Sequence, residues 1–141
     1  MRNVVVDTNV LIRAFLSPDG SAWRIFQLAI DEKITVWYSH ELLTEFSRVC
    51  TYPRLKKYNV TNEKSVTFIE TLVAFGKVVQ PKSLTICRDP DDNEILGIAL
   101  ALVGPEPVYL ISTDDDLLVL AGSIEGVNIL TPQEFLKQKF T

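Results

Sequence analysis

The chain has 141 residues, of which 47% are apolar and 23% are charged, and this composition suits a globular domain rather than a disordered segment. No apolar run approaches the roughly 20 residues that a membrane span needs, and the apolar stretch near the N-terminus is too short for a signal peptide. We therefore expect a cytoplasmic protein whose single domain covers residues 1–141. Two cysteines and one histidine are too few for a structural zinc site.

The net charge of −4 comes from two short acidic clusters. They hold seven of the 18 acidic residues, which leaves 11 elsewhere against 14 Lys and Arg, so the rest of the chain is basic. Such a protein could hold a cation at the acidic clusters and present basic flanks to a polyanion. Two solvated acidic loops are the alternative interpretation. The clusters are Asp89, Asp91, Asp92 and Glu94, and Asp114, Asp115 and Asp116.

Apolar runs typical of buried strands alternate with segments of helical periodicity. Strands are predicted over 3–6, 34–38, 78–79, 108–111 and 127–130. The first predicted helix follows Thr8-Asn9, the second follows a break at 17–20, and the third follows a Ser39 cap. The later predicted helices cover about 61–75, run from 92 toward 104, cover 116–121 and start at a capping box at 131. This alternation predicts an α/β domain, a three-layer α/β/α sandwich with a mainly parallel central sheet of about five strands.

The spacing of the larger apolar residues predicts which of them form the core. The helix over 61–75 is expected to turn Val66, Ile69, Leu72 and Val73 inward. The aromatic residues at core-like spacing are interpreted as packing residues rather than as platforms for bases. They are Trp23, Phe26, Trp37, Phe46, Phe68 and Phe75.

Acidic residues recur where the predicted strands end. Asp7 ends the first strand, Asp114 follows the fourth, and Asp92 begins a helix after the third. Glu45 lies about one and a half turns into the helix after the second strand, from which it can reach the same edge. Ligands of open parallel sheets bind at this edge, so we expect these four carboxylates to gather there.

Carboxylates packed together raise each other's pKa, so such a group requires partial protonation or a counter-cation. Oxygen ligands without His or thiolate suit a hard ion such as Mg²⁺ or Mn²⁺. An ion of this kind can activate a water molecule and stabilise the leaving oxygen of a phosphodiester. The pattern therefore favours phosphodiester hydrolysis, although each Asp alone would also suit a helix N-cap.

Four motifs in this order and spacing resemble the PIN domain, particularly the prokaryotic PIN proteins similar to VapC toxins. The resemblance covers nearly the whole chain. The motifs are Asp7-Thr8-Asn9, Glu41-Leu42-Leu43-Thr44-Glu45-Phe46, Asp89-Pro90-Asp91-Asp92-Asn93 and Ser112-Thr113-Asp114-Asp115-Asp116-Leu117-Leu118.

The resemblance implies a Mg²⁺- or Mn²⁺-dependent endoribonuclease acting on single-stranded or structured RNA. It further implies the toxin component of a toxin–antitoxin pair, with a cognate antitoxin and a homodimeric state. Thr113 departs from the family, which often has Gly there. The implied catalytic and metal-binding residues are Asp7, Glu45, Asp92 and Asp114, with Asp116 as a further metal ligand and Asn9, Ser112 and Asp91 as auxiliary residues, Asp91 being the alternative to Asp92.

Two other functions stay open at this point. A receiver-type Mg²⁺-binding signalling domain would need an Asp at the end of the third strand and a Lys at the end of the fifth, where Gln80-Pro81 and Leu130-Thr131 stand. A PIN protein that binds RNA without cutting it is the second. The basic residues that could contact RNA phosphates as a set, although each alone suits a solvated surface, are Arg13, Arg24, Arg48, Arg54, Lys56 and Lys57.

Overall fold

A computed structural model describes residues 2–87 and 89–138, so the predicted domain ends at 1 and 139–141 lie outside the described residues. Its strands are β1 (Arg2–Val6), β2 (Ile34–Tyr38), β3 (Lys77–Val78), β4 (Val108–Ile111) and β5 (Val127–Leu130). Its α-helices are α1 (Thr8–Leu16), α2 (Ser21–Ile30), α3 (His40–Val49), α4 (Asn62–Phe75), α5 (Pro90–Ala101), α6 (Asp115–Leu118) and α7 (Pro132–Leu136). A short 3₁₀ helix covers Pro53–Tyr58.

The five strands form one parallel sheet in the order β3-β2-β1-β4-β5, with helices as its outer layers. This is the predicted three-layer α/β/α sandwich. The chain builds outward from β1 to β3 and then returns to place β4 on the other side of β1. The strand order therefore reverses between β1 and β4, and in open α/β sheets the crevice at such a reversal is where ligands bind.

The core is built on the central strands because both of their faces are covered. Val4, Val5 and Leu110 have no solvent exposure. The helix α5 packs against β1, β4 and α3, and its buried Ile95 and Ile98 belong to the same apolar cluster. Burying side chains of this size stabilises the fold by roughly 1.5–3 kcal/mol each. The first turn of α5 is thereby held near the central strands.

Local signals in the sequence predicted several elements correctly. The strands β2, β4 and β5 have the predicted bounds. Ser39 caps α3 by accepting a hydrogen bond from the Leu42 backbone, and Gly76 ends α4. Thr131 and Glu134 form the predicted capping box of α7. No helix among the described residues is both long and apolar enough to span a bilayer.

Several predicted boundaries were wrong, including the start of β1, which lies at Arg2 rather than Asn3. The strand β3 starts at Lys77 because its ladder with β2 pairs Lys77 with Trp37, one residue earlier than predicted. The helix α5 starts at Pro90 rather than Asp92, since Asp89 accepts the capping hydrogen bond. The helix α6 covers Asp115–Leu118 rather than 116–121, because Asp114 caps it.

The predicted inward face of α4 was wrong in part, since Leu72 is buried and Ile69 packs against the core as predicted, but the two valines do not. Val66 and Val73 are exposed, and Phe75 at the end of the helix is exposed as well. The face that packs inward carries Ser65, Phe68 and Leu72. Its position is set by the Phe68 ring, whose centroid lies 5.1–5.3 Å from those of three other phenylalanines: Phe15, Phe26 and Phe46.

Candidate metal centre

Asp7 and Ser112 lie side by side because of the register between β1 and β4. Val6 pairs with Ile111, and the Asp7 backbone N–H donates to the Ile111 carbonyl at 3.0 Å. The residue after each strand therefore starts from the same edge of the sheet. Asp7 is also the residue from which α1 begins. The change from strand to helix turns its side chain out of the sheet and to the switch point between β1 and β4.

Ser112 is a fully buried hydroxyl that joins two of the acidic segments. Its Oγ donates a hydrogen bond to Asp7 Oδ2 at 2.8 Å and accepts one from the Asp114 backbone N–H at 2.9 Å. A hydroxyl can do both at once. It therefore holds the Asp7 carboxylate and the backbone of Asp114 at a fixed separation.

Three neighbouring acidic residues at the start of α5 have different positions and contacts. Asp89 accepts a hydrogen bond from the Asp91 backbone at 2.9 Å and caps the helix. Asp91 is exposed, whereas Asp92 is only 5% exposed. Asp92 stands in the first turn of a helix that packs on β1 and β4, so its carboxylate lies at the switch point. Of the two candidates in this motif, Asp92 is the one that joins the other carboxylates.

The carboxylates of Asp92, Asp114 and Asp116 each place an oxygen within 4.8 Å of the other two. Asp114 is held by accepting a hydrogen bond from the Asp116 backbone at 2.9 Å, which forms the first turn of α6. Three carboxylate oxygens at this separation match the donors that a hard divalent ion prefers. Asp7 lies outside this group of three, but its charge acts on Asp92 and Ser112 connects it to Asp114. We call Asp7, Asp92, Asp114 and Asp116 the inner carboxylates.

The electrostatics of the inner carboxylates fit a cation. Burial, followed by the charges of Asp114 and Asp7, raises the pKa of Asp92 to about 7. Burial also raises the pKa of Asp7, opposed by its hydrogen bond from Ser112. Over residues 2–87 and 89–138, neither Asp7 nor Asp92 forms an ion pair with a Lys or Arg. A divalent ion would supply the missing positive charge, so the residues present fit such an ion.

Glu45, the fourth acid predicted for the site, lies on α3 outside the group of three. Its carboxylate forms an ion pair and a hydrogen bond with Arg48, one turn later in the same helix. Glu45 and Asp91 line one cleft, which also contains Thr8, the residue after Asp7. Glu45 is therefore next to the inner carboxylates rather than among them. Asn9 is exposed in the first turn of α1.

Two neighbours of the site were missed by the sequence analysis. The buried Ser39 hydroxyl donates to Glu94 Oε1 at 3.4 Å, across 55 residues, and burial followed by the charge of Glu41 raises the Glu94 pKa. Burial raises the pKa of the Cys87 thiol, and the nearby charge of Asp92 raises it further. The pairing of Glu45 with Arg48 had a visible signal, the three-residue spacing on a helix. The contact between Ser39 and Glu94 had none.

Comparisons with known proteins agree with this arrangement. The chain is 30% identical over 139 residues to the uncharacterised protein MJ1680 of Methanocaldococcus jannaschii, covering 96% of this chain and 90% of that protein. Its fold is similar to a chain in the crystal structure of VapBC2 from Rickettsia felis bound to a DNA fragment from their promoter. That similarity has a TM-score of 0.59 and 14% identity, and it covers 90% of this chain and 96% of the other.

The sequence profile of the family described as the PIN domain matches residues 3–114. This range starts in β1 and ends at Asp114, so it includes the segments that carry Asp7, Glu45, Asp92 and Asp114. The parallel sheet with its switch point between β1 and β4 and the fold of the VapBC2 chain agree with the match. The chain belongs to the PIN domain family.

Proposed function

We propose that this chain is a divalent-metal-dependent endoribonuclease that hydrolyses phosphodiester bonds in single-stranded or structured RNA. PIN domains are in general nucleases, which supports the reaction class. The observation that carries the proposal is the grouping of Asp92, Asp114 and Asp116 within 4.8 Å at the switch point of the sheet. Carboxylates placed this closely need partial protonation or a cation, and a phosphodiester can supply the remaining oxygen ligands of such an ion.

In this proposal Asp7, Asp92 and Asp114 hold Mg²⁺ or Mn²⁺, with Asp116 and Glu45 as further ligands, directly or through water. The ion, when bound, activates the attacking water and neutralises charge on the phosphate and the leaving 3′ oxygen. The protein's own part is to place the ligands. Ser112 fixes the Asp7 carboxylate, and Asp92 gives up its proton to become a ligand.

The biological role that we propose is that of the toxin in a toxin–antitoxin pair. The VapBC2 structure from Rickettsia felis supports this role by its fold, at 90% coverage of this chain. We further propose a cognate antitoxin as partner, a homodimeric state and a cytoplasmic location. Light scattering of the purified chain tests the dimer, and co-purification with the product of a neighbouring gene tests the antitoxin.

Cleavage of a labelled single-stranded RNA in Mn²⁺, compared with the same reaction in chelator, tests the activity. We expect cleavage only with the metal, and none from the D7N variant. A D115N variant is the matched control, because Asp115 is exposed and outside the inner carboxylates. Equal cleavage with and without chelator would overturn the metal dependence. Binding of RNA without cleavage in any metal would instead support an RNA-binding PIN protein.

A further inference from the structure

A cleft of about 440 Å³ opens next to the inner carboxylates, between α1, α3 and α5. Thr8 and Asp91 in its wall adjoin Asp7 and Asp92 in the sequence, so the cleft lies beside the segments that carry these two carboxylates. The buried side chains of Leu42 and Ile95 contribute an apolar surface to it. Pockets for small ligands fall in the range of roughly 300–1,000 Å³, so this cleft can accommodate one nucleotide.

The charges lining this cleft are unequal. Four acidic residues line it, namely Glu41, Glu45, Asp91 and Glu94. Within the described part of the chain, Arg48 is the only lining residue with a permanent positive charge. A phosphate that enters the cleft is therefore repelled by most of its walls, and Arg48 decides whether it can stay.

Arg48 is placed to exchange partners. Its side chain is 59% exposed, and its partner Glu45 belongs to the same helix. The Glu45 side chain is 20% exposed, but water reaches the Arg48 end of the pair, which lowers the cost of breaking it. A guanidinium also binds phosphate through two parallel N–H donors, a stronger arrangement than a single hydrogen bond. Arg48 can thus leave Glu45 for a phosphate without disturbing α3.

We infer that this cleft binds the nucleotide adjoining the cleaved phosphodiester, and that Arg48 leaves Glu45 to contact the phosphate of that nucleotide. The inference rests on the proposed function, since RNA is the substrate in both. It adds the subsite that positions the strand and a residue, Arg48, that binds it. It also assigns Glu45 a second role, which is to hold Arg48 until RNA binds.

Fluorescence anisotropy of a labelled single-stranded oligoribonucleotide in EDTA tests the contact, because no metal-dependent cleavage occurs there. We expect R48A to weaken binding about tenfold, as for loss of one charge-assisted phosphate contact. The slope of the logarithm of affinity against the logarithm of salt concentration should become shallower by about 0.7. R48K should retain part of the affinity. The matched control is K33A, since Lys33 is an exposed cation that neither lines the cleft nor belongs to the predicted RNA-contacting set.

A double-mutant cycle tests the exchange of partners. In EDTA, E45A should raise RNA affinity about threefold, partly by releasing Arg48. This gain should be reduced in the R48A background. The control E41A removes another carboxylate of the same cleft, and its gain should persist when Arg48 is absent. An E45A gain that R48A leaves undiminished would overturn the exchange.

The two proposals fail in distinguishable ways. If wild-type protein cleaves no RNA with Mn²⁺ while R48A still weakens binding in EDTA, the nuclease proposal fails and the subsite remains. If cleavage is metal-dependent but R48A binds RNA as K33A does, the subsite is wrong and the nuclease proposal remains. For an active enzyme we expect R48A to raise KM more than it lowers kcat, because the contact binds substrate.

Discussion

The inner carboxylates and Glu45 show two ways of keeping acidic side chains at one edge of a sheet. Asp7 and Asp92 are almost fully buried, and in the described part of the chain no Lys or Arg pairs with them. Glu45 has Arg48 as its own counter-ion. The pKa of Asp92 is raised to about 7, largely by burial and by its neighbours' charges. In our proposal a bound cation neutralises Asp7 and Asp92, whereas Glu45 already has a counter-ion in its own helix.

The largest expected effect distinguishes the two groups by activity. D114N should lower kcat/KM for RNA by about 1,000-fold, because the ion supplies several kcal/mol of transition-state stabilisation. E45Q should lower kcat/KM by about 10–100-fold, the loss typical of a residue that supports the direct metal ligands. Steady-state cleavage assays with Mn²⁺ measure both losses, and circular dichroism checks that each variant is folded. Equal losses in both variants would remove the distinction between the two groups.

Removing one inner charge should stabilise the metal-free protein. D92N is expected to raise the free energy of unfolding by about 2 kcal/mol at pH 8, because the buried carboxylate is ionised there against its neighbours. Urea denaturation in EDTA measures this, and D115N should change it by less than about 0.5 kcal/mol, since Asp115 is exposed. A destabilised D92N would contradict the unfavourable burial of the ionised Asp92 carboxylate.

The same pKa predicts a pH dependence. The pKa of Asp92 is about 7 in the folded protein and near the ordinary 3.8 when unfolded, so the unfolded chain releases its proton first as pH rises. The metal-free protein should therefore lose stability between about pH 4 and pH 7 and then level off. Mn²⁺ affinity should rise about tenfold per pH unit below 7.

Isothermal titration calorimetry with Mn²⁺ at several pH values measures this affinity, and urea denaturation in EDTA measures the stability. Both pH dependences should flatten in D92N, since Asn cannot release a proton. A wild-type Mn²⁺ affinity that is constant from pH 5 to pH 8 would mean that Asp92 binds no ion or carries no raised pKa.

The smallest expected effect concerns the hydroxyl that joins the strand ends. S112A should lower the free energy of unfolding by about 1 kcal/mol, because Asp7 and the Asp114 backbone each lose a buried hydrogen bond. S47A, at an exposed serine of α3, is the control for urea denaturation. If both variants behave alike, Ser112 does not hold the site together.

Local patterns predicted the elements well where one physical cause dominates. The short β-branched runs of β2, β4 and β5 have matching bounds because buried strands of this kind admit few alternatives. The face of α4 could not be predicted, because Val66 and Val73 are as apolar as the residues that pack inward. Contact of Phe68 with aromatic rings from three other helices selected the face.

The acids at the strand ends could be located from the sequence because parallel strands bring their carboxyl ends to one edge. Asp7 and Asp114 follow β1 and β4, which the register places side by side. Which of Asp91 and Asp92 joins them stayed open, since one residue of helix rotation separates an exposed from a buried side chain. The Asp89 cap and the packing of α5 on β1 and β4 set that rotation.

Sequence alone thus determined the alternation of strands and helices and the acidic residues at the ends of strands, because period and chain order are local properties. Tertiary structure alone decided which acids are buried together, that Ser112 links Asp7 to Asp114, and that a cleft opens beside Glu45 and Arg48. The physical reason is distance. Desolvation and charge coupling act over a few ångströms, and residues 105 positions apart reach that separation only in the folded chain.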